Sequence, residues 1–250
     1  MLADSLQFQK PTNAKPETVI SKPMTEPLET YETHPSLEKD FADKFSHVLI
    51  SSGGFLTDTA NKIIMGTFPP PKTSINNYGS DYFYYPSNRN QFWNIIDIVN
   101  NAKQITSDKL KFTKSSSESI KTNVSRKAQF CLQQNWAFMD FYSSVSRKEK
   151  DSSKDQDLIG KENIIENKIF YNYLNLNKNI KHIFCLYKLA FTELIKHLTE
   201  DNYKLIKIDD TQYRLIFSEK EILIHLLHPP TRSKIKLNIR AEQYSNYLYN

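Results

Sequence analysis

KIIMGTFPPP, residues 62–71, decides the fold: a short apolar run closed by Gly66 and then Pro69 is how a buried strand ends in a tight turn. Outward from it, the same grammar recurs. WAFMDFY at 136–142 reads as a second strand ending in Asp140, and IKHIFCLY at 180–187 as a third. Tyr213 to Phe217 and Glu221 to Leu227 read as two more, separated by Ser218-Glu219-Lys220, the latter running into His228-Pro229-Pro230. Helical spacing falls between the strands. Phe92, Ile95, Ile96 and Val99 lie at i, i+3, i+4 and i+7, which puts four apolar side chains on one face. Further helices are expected at about Arg126 to Gln134, Ile159 to Tyr173, Leu189 to Leu198 (with Ala190, Leu194 and Leu198 on one face) and Ile235 to Tyr249. Strands alternating with helices predict an α/β protein, a three-layer α/β/α sandwich around a central, mainly parallel four- or five-stranded sheet. In such sheets a ligand sits beyond the carboxyl ends of the strands.

Composition bounds what such a fold can do. The chain of 250 residues fits one domain plus a tail. Five prolines in the first 35 residues and little apolar periodicity predict a flexible arm over residues 1–40, leaving a domain over 41–250. The Lys-, Ser- and Thr-rich stretch 101–127, with scattered Leu110, Phe112 and Ile120, reads as a polar insertion or long loop. The polar run 143–157 should lie on the surface. A formal charge of +5 suits a polyanionic partner. Cys131 and Cys185, the two cysteines, cannot build a disulfide framework or a four-thiolate metal site. No apolar leader and no run of 18 apolar residues is present, so the expectation is a soluble cytoplasmic protein.

Residues 66–96, GTFPPPKTSINNYGSDYFYYPSNRNQFWNII, resemble the first signature of the uracil-DNA glycosylase superfamily. In that superfamily a strand ends in a G-x-x-P turn beside the scissile bond, an aromatic residue binds the base, and an Asn-bearing stretch ends in Phe-Trp. Gly66, Pro69, Asn88, Asn90, Phe92 and Trp93 stand at the matching positions, and the spacing of YYPSNRNQFW is most similar to the hypoxanthine-type and mismatch-specific branches. HLLHPPTRS at 225–233 resembles the later signature, a strand leading into His-Pro-Ser-Pro and a loop that enters the minor groove. WAFMDFYSSVSR followed by DSSKDQDLI is similar to the stretch where these enzymes carry a strand-terminal Asp and a later Ser-x-Asp. The resemblance spans roughly residues 45–245. It implies a glycosylase that acts on double-stranded DNA, with single strands as a second form, as a monomer, without cofactor or metal.

One departure is informative. Where the uracil-specific branches carry an acid or amide after Gly66-Thr67, this chain has Phe68, which offers only its backbone. Cleaving a glycosidic bond through a cation-like sugar still needs a polar group to hold water and donors for the departing base. The resemblance therefore moves the water-positioning role to Asn90, with Asn88 as the alternative, and gives leaving-group stabilisation to His228, at a strand end and pinned by Pro229. His225, three residues earlier, reads as structural. Gly66, Thr67, Phe68 and Pro69 would line the base site, and an extruded base would stack on an aromatic such as Tyr78 or Tyr82, with Phe83 beside them. Asp140, or Asp155 in the loop beyond it, would form a second polar wall unless it serves as a cap or surface ion pair. Arg232, Ser233, Lys234, Lys236 and Arg240 follow the second signature and are expected to meet phosphates; Arg232 or Ile235 could also fill the gap in the base stack.

The rivals are weaker or differ in kind. A Schiff-base mechanism needs a lysine at a strand end inside the signatures, and Lys62 and Lys72 are poorly placed for it. A metal nuclease needs clustered carboxylates or histidines, whereas the acids here are dispersed. A DNA-binding module that kept the fold but lost the catalytic acid is the serious alternative. Hypoxanthine follows from the nearest branch as substrate; uracil or a bulky modified pyrimidine, such as a glucosylated hydroxymethylcytosine in viral DNA, is compatible with the altered loop.

Overall fold

The computed structural model describes residues 32–33, 48–51, 54–67, 90–103, 112, 120–145, 165–166, 169–231 and 233–249. Its backbone is a mixed β-sheet with helices, an α/β arrangement. Strands β4 (Lys62–Gly66), β5 (Trp136–Asp140), β8 (His182–Cys185) and β11 (Lys220–Leu226) form the centre of the main sheet, in the order β5-β4-β8-β11 and all parallel. Antiparallel strands extend it on both sides. β3 (Gly54–Thr57) and β2 (Val48–Ser51) lie beyond β5, while β10 (Gln212–Phe217) and β9 (Lys204–Asp209) lie beyond β11. The expected four- or five-stranded, mainly parallel sheet is thus corrected: among the described residues it has eight strands, parallel only in the central four. A small second sheet joins β1 (Glu32–Thr33), β6 (Tyr142–Val145) and β7 (Ile165–Glu166). Two residues of the segment expected to be a flexible arm therefore pair with Ser144 and Val145; the rest of that segment up to residue 40 lies outside the described residues.

Strand alternation explains why the central strands read as continuous apolar runs. Ile64, Phe138 and Phe184 point into one cluster, with side chains of α1 (Phe92–Lys103), α2 (Ile120–Gln133) and α5 (Leu237–Leu248). Ile63, Met65, Ala137, Met139, Ile183 and Cys185 point into another, with α3 (Ile169–Leu176) and α4 (Lys188–Glu200). Both faces being buried, neither can alternate with polar residues, and each fully buried aliphatic or aromatic side chain contributes about 1.5–3 kcal/mol.

Helix boundaries differ from expectation in two places. α2 starts at Ile120, so the last part of the stretch expected to be an insertion or long loop is helical, and Phe112 within it is fully buried. Phe112 packs between Trp93 and Phe130, with ring centroids 5.2 and 4.7 Å away, and its N–H donates to Asp97 Oδ1 at 2.7 Å. The helix expected over 159–173 is displaced: β7 occupies Ile165–Glu166, and α3 runs from Ile169 with Phe170, Tyr173 and Leu174 inward. Of the polar run 143–157, residues 143–145 belong to β6, with Val145 buried, and the rest lies outside the described residues.

His225 bears out its structural reading. It is 6 % exposed, stacks on Phe184 at 5.0 Å, and sets its Nε2 3.4 Å from His182 Nδ1. Burial, and then the neighbouring His182, push its imidazole down to about 4. An unfolded histidine binds its proton near pH 6.5, so stability is complete above that pH and is lost as pH falls toward 4, by about 3 kcal/mol in all. Urea unfolding at pH 7.5 and 4.5 checks this: His225→Phe should flatten the acid limb, and an unchanged limb would show that other groups carry it.

Candidate functional site

The carboxyl ends of the four parallel strands form one rim: Gly66 and Thr67 after β4, Asp140 ending β5, Leu186 and Tyr187 after β8, Leu227 and His228 after β11. The ladder continues past the strands, with Phe141 N–H to Gly66 O at 3.0 Å, Tyr142 N–H to Thr67 O at 3.1 Å, Leu186 N–H to Met65 O at 2.9 Å and Leu227 N–H to Cys185 O at 2.9 Å. These bonds hold the strand ends level with one another. Asp140 sits opposite Gly66 in register, is 4 % exposed, and by alternation from Phe138 belongs to the α1 side of the sheet.

Two segments far apart in sequence meet over this rim. Asn90 forms an antiparallel bridge with Thr231, and Gln91 N–H donates to Pro230 O at 2.8 Å. Helix α5 fastens the junction from below. The Arg240 guanidinium donates through Nη1 to Pro229 O at 3.3 Å, Pro230 O at 3.1 Å and Thr231 O at 2.8 Å, and through Nη2 to Gln91 Oε1 at 2.7 Å. His228 is held at both backbone atoms: its N–H donates to Gln243 Oε1 at 2.7 Å, and its carbonyl accepts from Tyr244 Oη at 2.9 Å. Burial pushes the Tyr244 phenol up, so it remains a donor. Residues that bind only backbone atoms of the loop fix its path and leave its side chains to act elsewhere.

Arg240 corrects an expectation. Read from its place in a charge run it should meet phosphate, but it is 3 % exposed and its terminal nitrogens are committed to carbonyl oxygens. It lies on the inner face of α5 with Ala241, Tyr244 and Leu248. Ser233, Lys234 and Lys236 are exposed just before that helix, and Ser233 Oγ accepts the Ile235 N–H at 3.2 Å. Phe68, Pro69, Tyr78, Tyr82, Phe83, Asn88, Asp155 and Arg232 lie outside the described residues.

Asn90 is placed by its own amide. Its Oδ1 accepts the Phe92 N–H at 2.8 Å, capping the first turn of α1, and its Nδ2 donates to Tyr187 Oη at 3.0 Å. Because a backbone N–H can only donate, the orientation of the amide is settled by chemistry. Among the described residues, one N–H and one lone pair of the Asn90 amide are left for a further partner. Tyr187, Gln91, Gln243 and Tyr244 were not singled out from the sequence. Tyr187 closes the third strand run, a position that marks the rim but says nothing of its hydrogen bond to Asn90.

Helix N-termini gather near the rim, beside the Asp140 carboxyl. Helices α1, α4 and α5 all begin there, and none carries an acid in its first turn. Their N-terminal dipoles favour anionic charge outside the strand ends. Among the described residues no group of three His, Cys, Asp or Glu side chains is arranged to hold a metal ion, and no helix is long and apolar enough to cross a membrane. Cys131 and Cys185 are buried in separate clusters, and burial pushes both thiols up.

Fold and rim together define an α/β protein whose polar groups gather at the carboxyl ends of its parallel strands. No family model matches the chain, and no curated protein matches it. Among solved structures it is similar to the solution NMR structure of "a putative Uracil DNA glycosylase from Methanosarcina acetivorans", at 16 % identity and a TM-score of 0.47, over 79 % of this chain and 96 % of that one.

Proposed function

We propose that this chain is a monofunctional DNA glycosylase that flips a damaged or modified base out of the helix and hydrolyses its N-glycosidic bond, leaving an abasic site. The single observation that carries the reading is the meeting of Asn90 with the loop that follows His228, because these segments hold the two stretches that resemble the superfamily signatures. In the reaction the bond from C1′ to the base nitrogen breaks with its electron pair going to the base. Water adds to C1′, and its proton ends on the departing base. Asn90 is not a base at neutral pH, so its share is to orient the water. His228 donates to the base oxygen on which charge grows, aided by the helix N-termini around the rim. Asp140 supports the cationic sugar or the bound base from the α1 side. Ser233, Lys234 and Lys236 meet phosphates while the base is out, a role that exposure leaves open to them. The two apolar clusters favour a three-layer reading of the domain.

Hypoxanthine, uracil and a bulky modified pyrimidine are the candidate bases, in repair or in defence against modified viral DNA, with the enzyme acting as a cytoplasmic monomer on double-stranded DNA. The non-catalytic alternative has two observations in its favour: Asn90 Oδ1 already caps a helix, and Phe68 supplies no acid. Incubation with labelled duplexes carrying each base, followed by hot alkali, separates the two readings. Scission at the modified position in at least one duplex is expected; intact strands throughout, with DNA still bound, would leave the binding module.

A further inference from the structure

We infer that Tyr187 is a positioning residue of this site: by accepting the Asn90 Nδ2–H it locks the amide whose remaining N–H and lone pair face the reacting water. The inference rests on the glycosylase reading and adds to it a residue that neither signature contains.

The geometry is a relay of forced choices. The Phe92 N–H fixes Asn90 Oδ1 as an acceptor at 2.8 Å, which turns Nδ2 toward Tyr187 at 3.0 Å. The Tyr187 oxygen must then accept, since an amide nitrogen only donates. Tyr187 is itself held at a defined point. It follows β8, which lies between β4 and β11 in the sheet, and it forms the N-cap of α4 in an extended conformation with φ −135° and ψ 141°. Its ring packs against the buried cluster on the α1 side. It is also close enough to Tyr244 to influence that phenol, and Tyr244 holds the His228 carbonyl at 2.9 Å. Tyr187 therefore stands between the group that orients water and the loop that carries the leaving-group donor. A side chain whose only task was packing would need the ring and not the hydroxyl.

The test removes the hydroxyl alone, as Tyr187→Phe, and reads both chemistry and geometry. In single-turnover base release the maximal rate should fall by about 10- to 100-fold, while the DNA concentration giving half that rate stays within about twofold. In nitrogen-15 correlation spectra the Asn90 side-chain amide protons should move and exchange faster with water, with thermal stability almost unchanged. A release rate within twofold of the wild type, or Asn90 signals that stay where they were, would overturn the inference. If the wild type releases no base from any duplex, the glycosylase reading fails by itself, and the Asn90 signals then decide alone whether Tyr187 holds the amide.

Discussion

Asn90→Ser should cut single-turnover base release by about 100-fold or more while leaving the fold and DNA affinity nearly intact. Serine is as good a helix cap as asparagine, so its Oγ can still accept the Phe92 N–H now taken by Oδ1. What disappears is the amide N–H aimed at Tyr187 and the second N–H beside it. Asn90→Ala confounds two effects, because losing the cap alone costs about 1 kcal/mol; the serine variant keeps them apart. A melting temperature within about 2 °C of wild type, together with lost turnover, is the expected pair of results. Turnover within twofold of wild type would remove Asn90 from the chemistry and leave it as a helix cap.

Arg240→Met should lower stability by about 3 kcal/mol, and the melting temperature by about 10 °C. Methionine keeps much of the buried stem but strips the donors from the carbonyls of Pro229, Pro230 and Thr231 and from Gln91 Oε1. Pro230 O lies in a buried contact and the other three acceptors in part-buried ones, so the desolvation cost falls mainly on Pro230 O and the rest of the loss is that of four charge-assisted hydrogen bonds made by one fork. Base release should also fall, because the same four contacts hold the two loops together over the rim. Thermal melting and release measured on one preparation check both halves. A melting temperature unchanged within about 2 °C would show that the clamp is dispensable.

Parts of this arrangement were legible in the sequence, for a physical reason. Ile63, Ile64 and Met65 are buried on both faces of β4, and a strand with no solvent face must be written in apolar residues throughout. The same holds for Ala137, Phe138 and Met139, and for Ile183, Phe184 and Cys185. Phe92, Ile95, Ile96 and Val99 announced α1 because that helix is wetted on its other side, at Asn94 and Ile98. Edge strands left a fainter trace. β9 alternates Lys204, Ile206 and Ile208 with Leu205, Lys207 and Asp209, and most of these side chains are exposed, so no core pattern marked it. Phe112 stood alone among Lys, Ser and Thr, and only the tertiary contacts with Trp93 and Phe130 account for its burial.

The site divides along the same line. Strand ends and prolines pointed to Gly66 and His228, since both are features of local chain geometry. Arg240 misled because a charge run carries no information about which face of a helix turns inward; the apolar Ala241, Tyr244 and Leu248 around it were the better guide. Tyr187 was hidden for the opposite reason. Its importance lies in one hydrogen bond to a residue 97 positions away, and no local pattern encodes such a pair.

A double-mutant cycle on base release tests the central claim most directly: that the Asn90 segment and the loop opened by His228 act on one extruded base. Wild type, Asn90→Ser, His228→Ala and the double variant are compared in single turnover on the best duplex substrate. Groups working on the same bond should be coupled by about 1 kcal/mol or more, the double variant losing less than the two single losses combined. Losses that add within about 0.5 kcal/mol, or a His228→Ala enzyme as fast as wild type, would contradict the claim.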